Sequence, residues 1–71
     1  NIDCVVECPD YIYVMEFKLD RSGTEALEQI HTKGYYKPYL SDARPVILVG
    51  INFSSATGTI EDYEISLCEK A

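Results

Sequence analysis

Glu16 and Lys18 carry the strongest chemical signal in the chain. They stand on either side of Phe17 in the apolar run Tyr11-Ile12-Tyr13-Val14-Met15-Glu16-Phe17-Lys18-Leu19. Such a run predicts a buried strand. Side chains alternate along a strand, so the acid and the amine share one face. Charges rarely sit side by side on a buried strand unless something pairs with them. Either the two neutralise each other as an ion pair at the sheet end, or together they hold something.

Asp3, thirteen residues before Glu16, sharpens the choice. It lies in a second strand-like segment, Ile2-Asp3-Cys4-Val5-Val6-Glu7, which the turn-forming Cys8-Pro9-Asp10 interrupts. An antiparallel hairpin centred between Pro9 and Asp10 pairs residues whose numbers sum to nineteen, so Asp3 faces Glu16. Opposed side chains in such a pair begin about 5 Å apart. Two carboxylates that close repel unless a proton or a cation lies between them. A hard divalent cation such as Mg²⁺ suits them, because it prefers carboxylate oxygens and keeps several waters. Lys18 would stand one step along, beside the water or phosphate such an ion holds. A one-residue slip in the register would send the two acids to opposite faces.

These groups need a scaffold, and 71 residues allow one small domain with a limited core. The chain opens on Asn1 almost inside a strand, so we expect 1–71 to be a piece of a longer protein. Six basic residues against twelve acidic ones leave a net charge of −6. That balance argues against tight, metal-free binding of nucleic acid, whose affinity comes mostly from phosphate neutralisation. A metal-bridged substrate remains compatible with it. Cys4, Cys8 and Cys68 have no paired spacing and read as free buried thiols of a reducing cytoplasm. No stretch is long enough to span a bilayer, and no signal peptide is visible.

The remaining elements follow from local signals. Ser22 and Glu25 have capping-box spacing, so a helix begins near Gly23. Ala26, Leu27 and Ile30 form its apolar stripe, Lys33 lies in its last turn and Gly34 stops it. Tyr35 to Tyr39 lead away as a loop or short helical turn. Pro45 to Phe53 is nearly all apolar, which predicts a central strand covered on both faces and parallel to the strand before the helix. Thr59 to Leu67 reads as a last strand near an edge, with Tyr63, Ile65 and Leu67 on one face and Ile60 on the other. The order is β-β-α-β-β in a mixed α/β sheet.

The ordered blocks resemble the PD-(D/E)xK nuclease superfamily, with its strand Asp, its Glu-x-Lys on the second strand of a hairpin, and a helix followed by a buried strand. The blocks Asn1 to Glu7, Tyr13 to Leu19, Glu25 to Ile30, Lys33 to Tyr35 and Val49 to Ser54 are similar to one branch. That branch comprises nuclease-like domains at the C-terminus of AAA-type ATPases, many from gut bacteria. The resemblance implies a restriction-endonuclease-like core and hydrolysis of nucleic acid, DNA rather than RNA, aided by Mg²⁺ or Mn²⁺. It implies that Asp3 and Glu16 bind the ion and that Lys18 orients or activates the attacking water. The main-chain carbonyl of Phe17 would add a metal ligand. Gln29, with Lys33 and Tyr35, matches a helix block that often accompanies the site. An upstream ATPase domain would be the natural partner. The chain departs from the family pattern in having no helix before Asp3 and no Walker A sequence.

Blander readings stand beside these. The fold can serve as a non-catalytic interaction or dimerisation module, with an exposed strand edge favouring a homodimer. His31 reads as a surface helix residue. Tyr35, Tyr36 and Tyr39 read as core edge or interface rather than as base-stacking rings. Glu61 and Asp62 read as a plain exposed charge run.

Overall fold

The computed structural model describes residues 2–70, except for the side chains of residues 2 and 3. Four strands and one main helix follow in the order β1 (Ile2–Glu7), β2 (Ile12–Leu19), α1 (Gly23–Lys33), β3 (Val46–Ser54) and β4 (Thr59–Leu67). The four strands form one sheet in the spatial order β1-β2-β3-β4. β1 and β2 are an antiparallel hairpin, β2 and β3 run parallel across the α1 crossover, and β4 returns antiparallel to β3. This is a mixed α/β sheet of the restriction-endonuclease-like type.

Local chemistry explains where each element starts and stops. The Cys8 N–H donates to the Tyr11 carbonyl at 2.8 Å and closes the first hairpin. Ser22 caps α1, its hydroxyl accepting from the Glu25 N–H at 3.0 Å. Gly34 ends the helix at φ 69°, a left-handed position that glycine adopts without steric cost. Tyr36 then leads into a short 3₁₀ turn, Lys37–Tyr39.

The core lies between α1 and one face of the sheet. Ile12 and Val14 on β2, Val46 and Leu48 on β3, and Ile30 on α1 are fully or almost fully buried and pack as one cluster. Each such side chain contributes roughly 1.5–3 kcal/mol by leaving water. Tyr35, Tyr36 and Tyr39 lie against this cluster, so they are core-edge residues as expected. His31 is exposed and meets the Tyr36 ring edge-on, with centroids 5.7 Å apart.

Two glycines set how near α1 comes to the sheet. A Cβ on Gly50 would run into the Gly23 carbonyl oxygen, approach the Leu27 nitrogen to 2.6 Å and the Ala26 Cβ to 3.0 Å. A Cβ on Gly23 would meet the Tyr63 Cα at 2.7 Å on β4. The helix therefore rests backbone to backbone on β3 and touches β4 with its first turn. α1 packs across β2, β3 and β4 and leaves β1 to the side.

Three expectations change here. β3 is central in the sheet, but among the described residues only one of its faces is covered. Ile60 joins the face of Tyr63, because Glu61 is an extra residue in β4 at the register shift beside Asn52 and Phe53. The three cysteines are free, as expected, yet half-buried rather than buried.

The end of the sheet where β3 begins is held by charge. Arg44 Nε and Nη2 grip both oxygens of Asp42 at 3.0 and 2.8 Å. The same guanidinium donates to the Cys8 carbonyl at 3.0 Å and to Glu7 at 2.8 Å. Lys70 Nζ donates to the carbonyls of Asp42 and Arg44. The Arg44 side chain, helped by its backbone N–H, holds the Asp42 carboxyl well below the usual carboxylate range.

Replacing Gly50 by Ala should lower stability by about 1–3 kcal/mol, because the obstructing atoms belong to helix backbone and cannot turn aside. Urea unfolding followed by circular dichroism checks this. An unchanged midpoint would show that the helix can lift without cost.

Candidate metal and catalytic site

The helix-facing side of β2 reads Ile12, Val14, Glu16, Lys18, and its polar half comes last. Glu16 is 0% exposed and Lys18 half-buried, next to the core that Ile12 and Val14 build. In register, Glu16 lies between Asp3 on β1 and Gly50 on β3, and Lys18 lies beside Asn52. The pairing of Asp3 with Glu16 is the one the hairpin arithmetic predicts. The Asp3 side chain lies outside the described residues. Both polar positions stand toward the carboxyl ends of the parallel strands β2 and β3, where open α/β sheets generally bind ligands.

Gln29 reaches this group from α1. Its side-chain oxygen accepts a hydrogen bond from Lys18 Nζ at 3.2 Å. One turn further along, Lys33 Nζ stands 5.7 Å from the centre of the Tyr35 ring, a cation–π contact. Of the accessory residues, Gln29 is thus brought to Lys18, while Lys33 and Tyr35 pair with each other. Phe17 points to the opposite face and stacks obliquely on Phe53, ring centres 5.8 Å apart. Its backbone pairs on the last rung of the β1–β2 ladder, opposite Ile2.

Two residues of this region escaped the sequence reading. Asn52 is 1% exposed, and its side-chain oxygen accepts from the Arg21 N–H at 2.8 Å. Its amide nitrogen donates to Asp62 at 3.4 Å, and the other oxygen of Asp62 accepts from the Gly23 N–H. Asp62 is therefore a bracket on the first turn of α1, and only Glu61 fits the plain charge run. Carboxylates are favoured at a helix N-terminus, where N–H groups lack intrahelical partners. A buried Asn in an otherwise apolar strand was the available signal, since a buried amide must be hydrogen-bonded.

Loop contacts close the same end of the sheet. Asp20 follows β2 with φ 54° and accepts from the Ser55 N–H at 2.9 Å and the Ser55 hydroxyl at 2.5 Å. The Ser55 hydroxyl, and then its N–H, hold the Asp20 carboxyl below its ordinary value of 3.8.

Residues 1–63 match the family model of the PD-(D/E)XK nuclease superfamily. The chain belongs to that superfamily. No curated protein and no solved structure matches it. Nucleases of the superfamily generally use divalent metals, and their substrate is nucleic acid. The oxygen donors here suit such an ion, since Glu16 offers a carboxylate inside the protein and Asp3 stands opposite it on the next strand. Among the described residues, no three His, Cys, Asp or Glu side chains cluster as a metal cage, and no helix is long and apolar enough to cross a membrane.

A carboxyl whose pKa is depressed by folding adds stability above its unfolded value and loses it as pH falls. Asp20→Asn should therefore melt below the parent at pH 7, and the gap should narrow as pH falls below about 4 toward the depressed native value. Asn tolerates the left-handed backbone at this position, so the change tests the charge. Melting curves at pH 7 and pH 3 give the answer, and a gap of equal size at both would exclude the carboxylate.

Proposed function

We propose that this domain is a metal-dependent nuclease that hydrolyses phosphodiester bonds of nucleic acid, with Asp3 and Glu16 holding Mg²⁺ or Mn²⁺ and Lys18 as the catalytic cation. The observation that carries the proposal is the buried Glu16, one strand step from the Lys18–Gln29 hydrogen bond. A carboxylate is costly to hold away from water. Its position is understandable where its charge is used on a cation.

The division of labour follows from the residue types. Asp3 and Glu16 present hard oxygen donors from neighbouring strands, and the Phe17 carbonyl would add a third. The bound ion would polarise the phosphate and lower the pKa of a coordinated water. Lys18 is a compact ammonium on a flexible stem, suited to hold that water or the scissile phosphate. Gln29 restrains the amine by accepting a hydrogen bond from it. Lys33 and Tyr35 would contact substrate beyond the reacting phosphate.

DNA is the favoured substrate on the resemblance of the local sequence blocks to their branch of the superfamily. The same likeness supports a setting at the C-terminus of a larger cytoplasmic ATPase. With a net charge of −6 the chain has little general affinity for phosphates, so binding should depend strongly on the metal.

Lys18→Ala should reduce Mg²⁺-dependent cleavage of DNA by at least about 100-fold, as expected for loss of one charge-stabilising donor. Undiminished cleavage in a gel assay would remove Lys18 from the mechanism. Calorimetric titration with Mg²⁺ tests the acids separately. The parent and Lys18→Ala should both release binding heat, and Asp3→Asn should not. Equal binding by Asp3→Asn would overturn the metal assignment.

A further inference from the structure

Lys18, Asn52 and Asp62 stand in one row across the sheet, on β2, β3 and β4, at register positions on the helix side. All three meet α1 or the turn that leads into it. Lys18 meets the helix through Gln29, Asn52 takes the Arg21 N–H and Asp62 takes the Gly23 N–H. Asn52 also donates to Asp62, which joins the last two into one link. We propose, on the reading of Lys18 as the catalytic cation, that Asn52 and Asp62 are positioning residues. They hold α1 at the setting that keeps Gln29 against the Lys18 amine.

The helix needs such a link because its seat on the sheet is smooth. Helices are normally located by side-chain ridges that fit into grooves. Where α1 crosses β3, Gly50 and Gly23 present no side chain, so no ridge is engaged. The apolar cluster around Ile30 resists lifting of the helix, but burial has no direction. Hydrogen bonds weaken steeply when stretched or bent, so they can set a helix along and about its axis.

The link grips the two places that matter for Lys18. Arg21 is three residues past Lys18, where β2 has turned toward α1. Gly23 opens the helix that carries Gln29. Its N–H is one of those that no turn of the helix can satisfy, and a carboxylate is a strong acceptor for it. Asn52 is 1% exposed, a costly place for an amide unless both of its ends are used, as they are here.

Distance turns this hold into geometry at the site. Gln29 comes six residues after Gly23, about 9 Å further along the axis. Its oxygen lies 3.2 Å from Lys18 Nζ. A shift of the helix by about 1 Å would take that contact out of hydrogen-bond range. Asp62 itself stands on β4, two strands from Lys18, and acts on the amine only through α1.

A double-mutant cycle on DNA cleavage at saturating Mg²⁺ is the test. Asp62→Ala should lower kcat about 10-fold, with KM, Mg²⁺ binding heat and circular dichroism unchanged. Asp62 is exposed, so the variant should fold. Asp62→Asn keeps an oxygen for the Gly23 N–H and should recover most of the rate. Gln29→Ala should lose a similar factor, and adding Asp62→Ala to it should lose no more, because residues acting through one contact are not additive. Additive losses would make Asp62 a general prop of the fold and overturn the proposal. Nuclear magnetic resonance reads the same link without chemistry. The Gln29 side-chain amide signals should move in Asp62→Ala and return in Asp62→Asn, and signals that stay in place would also overturn it. A parent that cleaves nothing would overturn the nuclease reading and the catalytic role together, while the amide signals would still show whether the link places Gln29.

Discussion

The backbone-to-backbone contact of α1 with β3 at Gly50 is the constraint on which the other features rest. Three atoms of the helix occupy the space a side chain would take. At that distance Ile30 reaches the core formed by Val14 and Leu48, and Gln29 reaches Lys18 on the neighbouring strand. A helix raised by the width of one methyl group would loosen both contacts together. Packing and site geometry are thus coupled through a single position that has no side chain.

Polar groups lock that contact at its open end. Asn52 and Asp62 take up the N–H groups of Arg21 and Gly23 at the start of α1. Asp20 ties the loop after β2 to the loop after β3. At the far end Arg44 and Lys70 bind the approach to β3 to the first hairpin and the tail. The sheet is therefore pinned at both ends, while its middle is held by apolar burial. Glu16 sits where the apolar middle gives way to the polar end. It is shut off from water but one strand step from Lys18.

The two faces of the sheet divide the molecule's business. The helix side carries the core and the charged strand residues, as the strand alternation requires. The other side carries none of those charges beyond the rim and is open. Among the described residues a single helix packs on the sheet, across β2, β3 and β4. The apolar composition of β3 on both faces is that of a strand meant for a third layer.

Much of this was legible in the residues alone, because the signals are local. Capping at Ser22, the stop at Gly34, the hairpin turn at Pro9 and the two-residue alternation depend on neighbours along the chain. They determine the element order, the parallel crossover, the shared face of Glu16 and Lys18 and, through the short hairpin, the pairing of Asp3 with Glu16. The superfamily too could be read from the order of the blocks. Other features depend on groups distant in sequence and only the tertiary structure decided them. Asp62 meets Gly23 across 39 positions, so nothing beside it in the sequence separates it from Glu61, which is exposed like it. The bulge that turns Ile60 onto the face of Tyr63 arises from how β4 registers against β3. An apolar strand reads alike whether its second face is covered or bare, because hydrophobicity records what a side chain prefers and not what lies against it.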